Sequence, residues 1–342
     1  NVLSSATSMN YKVPLLLVII SVSLYYFLSS PFPLSEEELT THLDNKVVLI
    51  CGASSGIGEE LAYQLAPRGA RLVLVARSQN KLDKVREELL KRGTPEDNIL
   101  VISFDFSDVA GSKTVVEQTI AKFGALDYLV SNHAAMIAAP FLGMSYVQDP
   151  VFIEKIFRVN LYSHIELAVQ ALPYLEKQKG HIFVTSSLAG EIPLYKNSLY
   201  CSTKHAMNGF FYSLQQELLA KESPVSLTIG AFGLIWTKEM AQVLASNNPY
   251  PGWATGSVED CSRGMMEAYV TRPQTMTFPR LAGFLYRVFW YFKPSYHDDI
   301  IEVVKPEGAK GTGYKELVEE MKIDRNADLR KSMGYQQGYG KQ

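Results

Sequence analysis

Tyr200-Cys-Ser-Thr-Lys204 places a phenol and an amine four residues apart, and on a helix residues at i and i+4 share a face. A free tyrosine, with a pKa of about 10, is a poor acid–base catalyst at neutral pH. A nearby ammonium favours the tyrosinate and lowers that pKa. The same lysine can hold a ribose hydroxyl. Ser187 lies 13 positions upstream, where its hydroxyl can hydrogen-bond a substrate oxygen and steady the charge developing there. Ser186 is the alternative for that role. Taken alone, Tyr-x-x-x-Lys reads as one face of an amphipathic helix. Joined to a serine at this spacing and to a glycine-rich loop upstream, it points to proton transfer at a hydroxyl or carbonyl group.

The loop is Gly52-Ala-Ser-Ser-Gly56-Ile-Gly58, directly after the apolar run Val47–Cys51. Glycine permits a tight turn and lets the backbone approach a pyrophosphate. The N-terminus of the following helix supplies free N–H groups and a positive dipole end to phosphates. Such a loop is also an ordinary strand-to-helix turn, but its place after the first strand favours dinucleotide binding through Gly52, Ser54, Ser55, Gly56, Ile57 and Gly58. An acidic residue about 20 positions past the loop takes the ribose hydroxyls of NAD, whereas an arginine there accommodates the 2′-phosphate of NADP. Arg77 lies 19 positions after Gly58, next to Ser78, and no acid occupies that strand end. The expected cofactor is therefore NADP(H), unless Arg77 is simply a surface arginine. Asp105, ending the third strand, is placed to meet the adenine, and Asn132, ending the fourth, to support the glycine loop.

These groups need a frame. Val47–Cys51, Arg71–Ala76, Leu100–Phe104, Tyr128–Ser131, His181–Thr185 and Val225–Ala231 read as strands. Helical stretches separate them, among them Glu59–Pro67 and Asn80–Lys91, the latter with Ser78 as its cap and Gly93 as its stop. Alternation at this period implies an α/β fold, a single doubly wound Rossmann domain over residues 45–304 with a mostly parallel sheet. The 342 residues show no internal repeat and no second domain boundary, and residues 305–342 form a charged, glycine-containing tail.

The formal charge of −2, without a long basic block, speaks against a nucleic-acid partner. The three cysteines are far apart and lack metal-ligand spacing, with Cys51 expected in the core. The six histidines are scattered and expected to be structural or exposed. Residues 13–28 are apolar and uncharged, and with residues 29–33 they reach the roughly 20 residues that span a bilayer. A transmembrane anchor over 13–33, preceded by a leader over 1–12, is the expectation. A cleaved signal peptide is the rival reading, opposed by the poor cleavage site around Tyr25, Tyr26 and Pro31. Lys12 before the span favours a cytoplasmic N-terminus and a lumenal body. Arg280–Phe292 places Leu281, Phe284, Leu285, Val288, Phe289 and Phe292 at helical spacing, with Arg280 and Arg287 able to reach a polar surface. That helix either packs on the core or against a second copy as a homodimer, or dips into a membrane to receive a lipid-soluble substrate.

GASSGIG, VTSSLAG, YCSTK and Asn160 within RVNLYSHIELA resemble the short-chain dehydrogenase/reductase family, over about residues 45–239. The resemblance implies that Asn160, Ser187, Tyr200 and Lys204 form a catalytic tetrad, with Asn160 helping to hold a water in a proton relay. It also implies that Phe232-Gly-Leu-Ile235-Trp-Thr237 is the loop closing over the nicotinamide, with phenylalanine in place of the family's proline. The usual NNAG segment reads Ser131-Asn-His-Ala134. That Asn-His pair, SSLAG, the GFF after the catalytic helix and GLIxT are similar to the 11β-hydroxysteroid dehydrogenase type 1 group. From the group follow NADP(H), a steroid or other lipophilic substrate, and a single-pass endoplasmic reticulum protein with a lumenal catalytic domain. Ser55 stands where a lysine often supports NADP. A reductase of retinoid, fatty-acyl or sterol-precursor carbonyls is the second expectation, and a non-catalytic membrane scaffold the third.

Overall fold

The structure, a computed structural model, describes residues 33–135, 150–194, 197–238, 240–241 and 255–292, together with Val18 and Ser21. The chain divides into two units, Asn1–Tyr296 and His297–Gln342, and every described residue belongs to the first.

Seven parallel strands form the main sheet: β1 (Val47–Cys51), β2 (Arg71–Ala76), β3 (Ile99–Ser103), β4 (Tyr128–Ser131), β5 (His181–Ser187), β6 (Ser226–Phe232) and an edge strand at Thr275–Phe278. Between β6 and that edge come two short strands, β7 (Leu234–Ile235) and β8 (Thr255–Gly256), which pair only with each other; the edge strand is therefore β9. The order is β3-β2-β1-β4-β5-β6-β9. The chain winds one way from β1 to β3 and the other way from β4, so the switch point lies between β1 and β4, where ligands bind in such sheets.

The strands read as continuous apolar runs because both faces are covered. Side chains alternate across a strand. Val48 and Ile50 of β1 thus join one core with Leu39, Leu61, Leu82 and Met265, while Val47, Leu49 and Cys51 join the other with Val115, Leu167 and Phe211. The first face is covered by α1 (Glu36–Leu43), α2 (Gly56–Leu65), α3 (Gln79–Lys91) and Val258–Thr271. The second is covered by α4 (Ser112–Phe123), α6 (Ser163–Gln178) and α7 (Ser198–Ala220). A short α5 (Pro150–Phe157) leads through a π-helical turn, Arg158–Tyr162, into α6. Val258–Thr271 is α8, and Arg280–Phe292 is α9.

Several local expectations change. β5 runs on through Ser186 and Ser187, which pair with Ala231 and Phe232 of β6, so Ser187 is the last residue of the strand rather than a residue after it. Ser78 occupies the N-cap of α3 but makes no side-chain cap hydrogen bond. The capping instead occurs at α1, where Ser35 and Glu38 form a reciprocal box: Glu38 N donates to Ser35 Oγ at 3.2 Å and Ser35 N to Glu38 Oε2 at 2.8 Å. In α9, Leu281 is 57% exposed although the spacing puts it on the apolar stripe, while Ala282 is buried. Arg287 does not reach a free polar surface: it is half-buried, donating to Glu191 Oε1 at 2.8 Å and Thr277 Oγ1 at 3.0 Å.

Residues 13–32 lie outside the described residues except for Val18 and Ser21, both helical, and so does the tail over 305–342. No described helix is long and apolar enough to cross a membrane.

Candidate active site

The carboxyl ends of β1, β4 and β5 and the start of α7 deliver the predicted groups to one end of the sheet. Tyr200 sits in the first turn of α7, and Lys204 follows one turn later, fully buried. Ser187 ends β5, and its Oγ accepts from Ala189 N at 3.1 Å. The same hydroxyl acts on Tyr200, favouring the ionised phenol. Ser186, the other candidate, is buried, and its hydroxyl is committed to Asn208 Oδ1 at 2.5 Å.

Electrostatics in this cluster differ from the simple expectation. Burial pushes the Tyr200 phenol up to about 12, and the hydrogen bond with Ser187 pulls the other way. Lys204 does not offset this. Its Nζ lies 5.8 Å from the Tyr200 ring centroid and donates to Thr185 O at 2.8 Å. Burial has lowered its own pKa to about 7, so near neutrality the ammonium is only part-populated. Burial thus favours the neutral form of both groups.

Asn160 is fully buried in the π-helical turn, the kind of helix irregularity common at functional sites. Its amide clamps one backbone unit: Oδ1 accepts from Ala135 N at 2.7 Å and Nδ2 donates to Ala135 O at 3.2 Å. It fixes the chain leaving β4, and among the described residues its side-chain hydrogen bonds are with Ala135, not with Tyr200 or Lys204.

The glycine loop is shaped as a cradle. Gly52 has φ +88°, and a Cβ there would lie 2.9 Å from His133 Cα. A Cβ on Gly58 would lie 2.2 Å from Gly52 O and 3.1 Å from Asn132 Nδ2. Only glycine fits either place, and the Asn132 amide lies against the loop at Gly58. Ser55 is the N-cap of α2 without a side-chain cap hydrogen bond, so its hydroxyl occupies none of the first-turn N–H groups, while its carbonyl accepts from Glu59 N at 3.5 Å. Ile57 packs on the core and its carbonyl accepts from Ser262 Oγ at 3.1 Å. Ser54 is half-buried in the same loop. The Thr237 methyl sits 3.1 Å from where a Gly56 Cβ would be, so the segment after β6 folds onto the loop; Ile235 is buried beneath it in β7. Arg77 is exposed just past β2, and Asp105 is exposed just past β3 with Oδ1 accepting from Ser107 N at 2.9 Å.

Residues 46–248 match the short chain dehydrogenase family. The chain belongs to that family. It is 34% identical over 255 residues to a hydroxysteroid 11-beta-dehydrogenase 1-like protein of Xenopus tropicalis, covering 74% of this chain and 82% of that protein. It is 33% identical over 278 residues to an 11-beta-hydroxysteroid dehydrogenase-like 2 protein of Arabidopsis thaliana, covering 75% of this chain and 87% of that one. A short-chain dehydrogenase/reductase of unknown function from Caenorhabditis elegans, solved with cofactor, shares the fold with a TM-score of 0.62 at 22% identity, over 72% of this chain and 97% of that one. A short-chain dehydrogenase/reductase is an oxidoreductase of CH–OH groups that uses a nicotinamide dinucleotide, and the cradle between Gly52 and Gly58 fits the pyrophosphate of such a cofactor.

One part of this dehydrogenase's site is not foreseen by the motifs. His133 lies stacked between Phe106, at a centroid distance of 3.7 Å, and His164, at 3.8 Å. Ser163 Oγ donates to Val159 O at 2.8 Å, so the His133 Nε2–H donates to Ser163 across 2.7 Å. His164 Nδ1 meets Ser131 Oγ at 2.7 Å. Burial, with Lys204 adding to it, keeps His133 well below the usual histidine pKa; burial likewise keeps His164 neutral, with His133 and Lys204 adding to it. The stack ties the ends of β3 and β4 to the turn carrying Asn160. The unusual His133 in the Ser-Asn-His-Ala segment was its one visible sign; nothing near His164 announces a partner.

Proposed function

We propose that this protein is an NADP(H)-dependent oxidoreductase interconverting a hydroxyl and a carbonyl on a lipophilic substrate, a steroid in the first instance. The observation that carries the reading is Tyr200 in the first turn of α7, one helical turn from a buried Lys204, with Ser187 at the end of β5. When bound, the cofactor supplies or takes up the hydride at the substrate carbon. In reduction, Tyr200 gives its proton to the carbonyl oxygen while the Ser187 hydroxyl hydrogen-bonds that oxygen. The Lys204 ammonium then returns a proton to Tyr200 and takes one from solvent. Asn160 keeps the segment after β4 in place. In alcohol oxidation the same protons run backwards.

Arg77, with no acid at the end of β2, supports NADP(H) over NAD(H), because a guanidinium pairs with a 2′-phosphate. The similarity to 11β-hydroxysteroid dehydrogenase-like proteins supports a steroid. The apolar segment over 13–33 supports a single-pass anchor, and by the same resemblance an endoplasmic reticulum membrane with a lumenal catalytic domain. The experiment is NADPH oxidation by membranes carrying the protein, against ketosteroids, retinal and ketoacyl thioesters. Turnover of ketosteroids above the other two classes is the expected result. Turnover confined to retinal or the thioesters overturns the steroid assignment, and cofactor binding without turnover of any carbonyl overturns the enzyme.

A further inference from the structure

Tyr200, Lys204 and Asn208 follow one another at four-residue intervals along α7, so they share a helix face. Asn208 is buried, and both arms of its amide are used. Its Oδ1 accepts from the Ser186 hydroxyl at 2.5 Å, and its Nδ2 donates to Gly190 O at 3.0 Å. Those partners flank Ser187: one precedes it, and the other closes the short helical turn, Leu188–Gly190, that follows it. The turn is pressed against the helix, since a Cβ on Gly190 would lie 2.7 Å from Asn208 Nδ2 and 2.8 Å from Lys204 O. Inside the turn, Ala189 N fixes Ser187 Oγ, and the amides of Glu191 and Ile192 both donate to Leu188 O, at 3.0 and 2.9 Å. The placing of Ser187 thus depends on a turn that one side chain of the Tyr200 helix grips on both sides of it.

We propose that Asn208 is a positioning residue, which by holding Ser186 and Gly190 together keeps the Ser187 turn in register with Tyr200 and Lys204. The proposal rests on Ser187 and Tyr200 acting as set out under the proposed function. Asn208 touches neither substrate nor cofactor in this account. Its loss leaves Gly190 O without its side-chain donor and the Ser186 hydroxyl without its acceptor, and the turn is then free to drift. A purely structural asparagine would cement α7 to β5 with no effect on turnover by folded molecules.

The two roles separate in Asn208→Ala, Ser186→Ala and the double variant of the full chain. Each is assayed for NADPH binding by fluorescence, for amide exchange over 188–192, and for kcat per NADPH-binding site. Asn208→Ala should leave the NADPH Kd unchanged and speed exchange at Ala189, Glu191 and Ile192, the signature of a locally loosened turn. Its kcat should fall roughly ten- to a hundredfold, the scale of a misplaced catalytic group. Ser186→Ala keeps the Gly190 contact and should lose less, and the double variant should be no worse than Asn208→Ala, because Ser186 acts through Asn208. Unchanged kcat per binding site in Asn208→Ala, or a fall without faster exchange, overturns the proposal. If Asn208→Ala does not fold, unchanged kcat and exchange in Ser186→Ala overturn it instead. Full turnover in Ser187→Ala overturns the underlying reading of the site and Asn208's role with it. Loss in Ser187→Ala beside full turnover in Asn208→Ala overturns the positioning role alone.

Discussion

At the scale of single residues, the site sets a neutral phenol beside an amine that titrates near neutrality. Carbonyl reduction consumes a proton, so it needs Lys204 in its charged form to reload Tyr200. With the Lys204 pKa lowered to about 7 by burial, kcat for reduction should fall as pH rises through about 7. Tyr200, pushed up to about 12, stays protonated throughout that range. A reduction profile that is flat from pH 6 to 9, on the scale of roughly two units about that pKa, would remove Lys204 from the relay. Arg77 makes a separate case. Its exposed guanidinium is free of any acidic rival on β2, and a charge-assisted contact of ~1.5–3 kcal/mol converts to roughly ten- to a hundredfold in affinity. Arg77→Asp should therefore weaken NADPH by that factor and improve NADH, as read by steady-state kinetics with both cofactors. An unmodified protein that already prefers NADH would make Arg77 an ordinary surface arginine.

At the scale of elements, the apolar runs of β1, β2 and β4 were legible to the residue, because strands buried on both faces have no polar alternation to confuse them. The edge strand β9 was not. Thr275–Phe278 alternates threonine with larger side chains and is only partly buried, so it lacks the apolar density of a central strand. The placement of the candidate motifs was legible because their spacing is local: Tyr200 and Lys204 share a helix, and the glycines share a turn. The His133–His164 stack was not, since it joins residues from β4's end and α6 that only the fold brings together. Nor was the effect of burial on Tyr200 and Lys204 legible, since burial is invisible in spacing. The glycine loop permits a sharp test at this scale. A Cβ at position 58 would meet the carbonyl of Gly52 at 2.2 Å, backbone against backbone, with no flexible side chain to yield. Gly58→Ala should abolish measurable NADPH quenching, or weaken it at least roughly tenfold, by displacing the turn that approaches the pyrophosphate. Quenching equal to the unmodified protein would mean that the cofactor does not use this loop.

At the scale of the molecule, histidines buried as neutral groups make the fold sensitive to acid. His181 is packed against Tyr128 and Tyr269 with Nδ1 on Ser226 Oγ at 2.7 Å, and burial lowers it from 6.5 to about 3. Above pH 6.5 neither the folded nor the unfolded chain protonates it, and stability is complete. Between 6.5 and about 3 the unfolded chain binds a proton that the folded chain refuses, so stability falls as pH falls, by about 1.4 kcal/mol per unit for each such group. His133 and His164 act in the same direction. Urea midpoints should drop steeply from pH 7 to 5, and His181→Gln should flatten that slope; equal midpoints at both values would contradict neutral burial. What the whole assembly is for comes down to one phenol. The most direct measurement compares substrate-dependent NADPH oxidation by the unmodified protein and by Tyr200→Phe, with NADPH binding monitored in both. The account predicts equal binding and a rate loss of ~10²–10⁴-fold in the variant, the usual worth of a positioned acid. A Tyr200→Phe protein that turns over near the unmodified rate would contradict it.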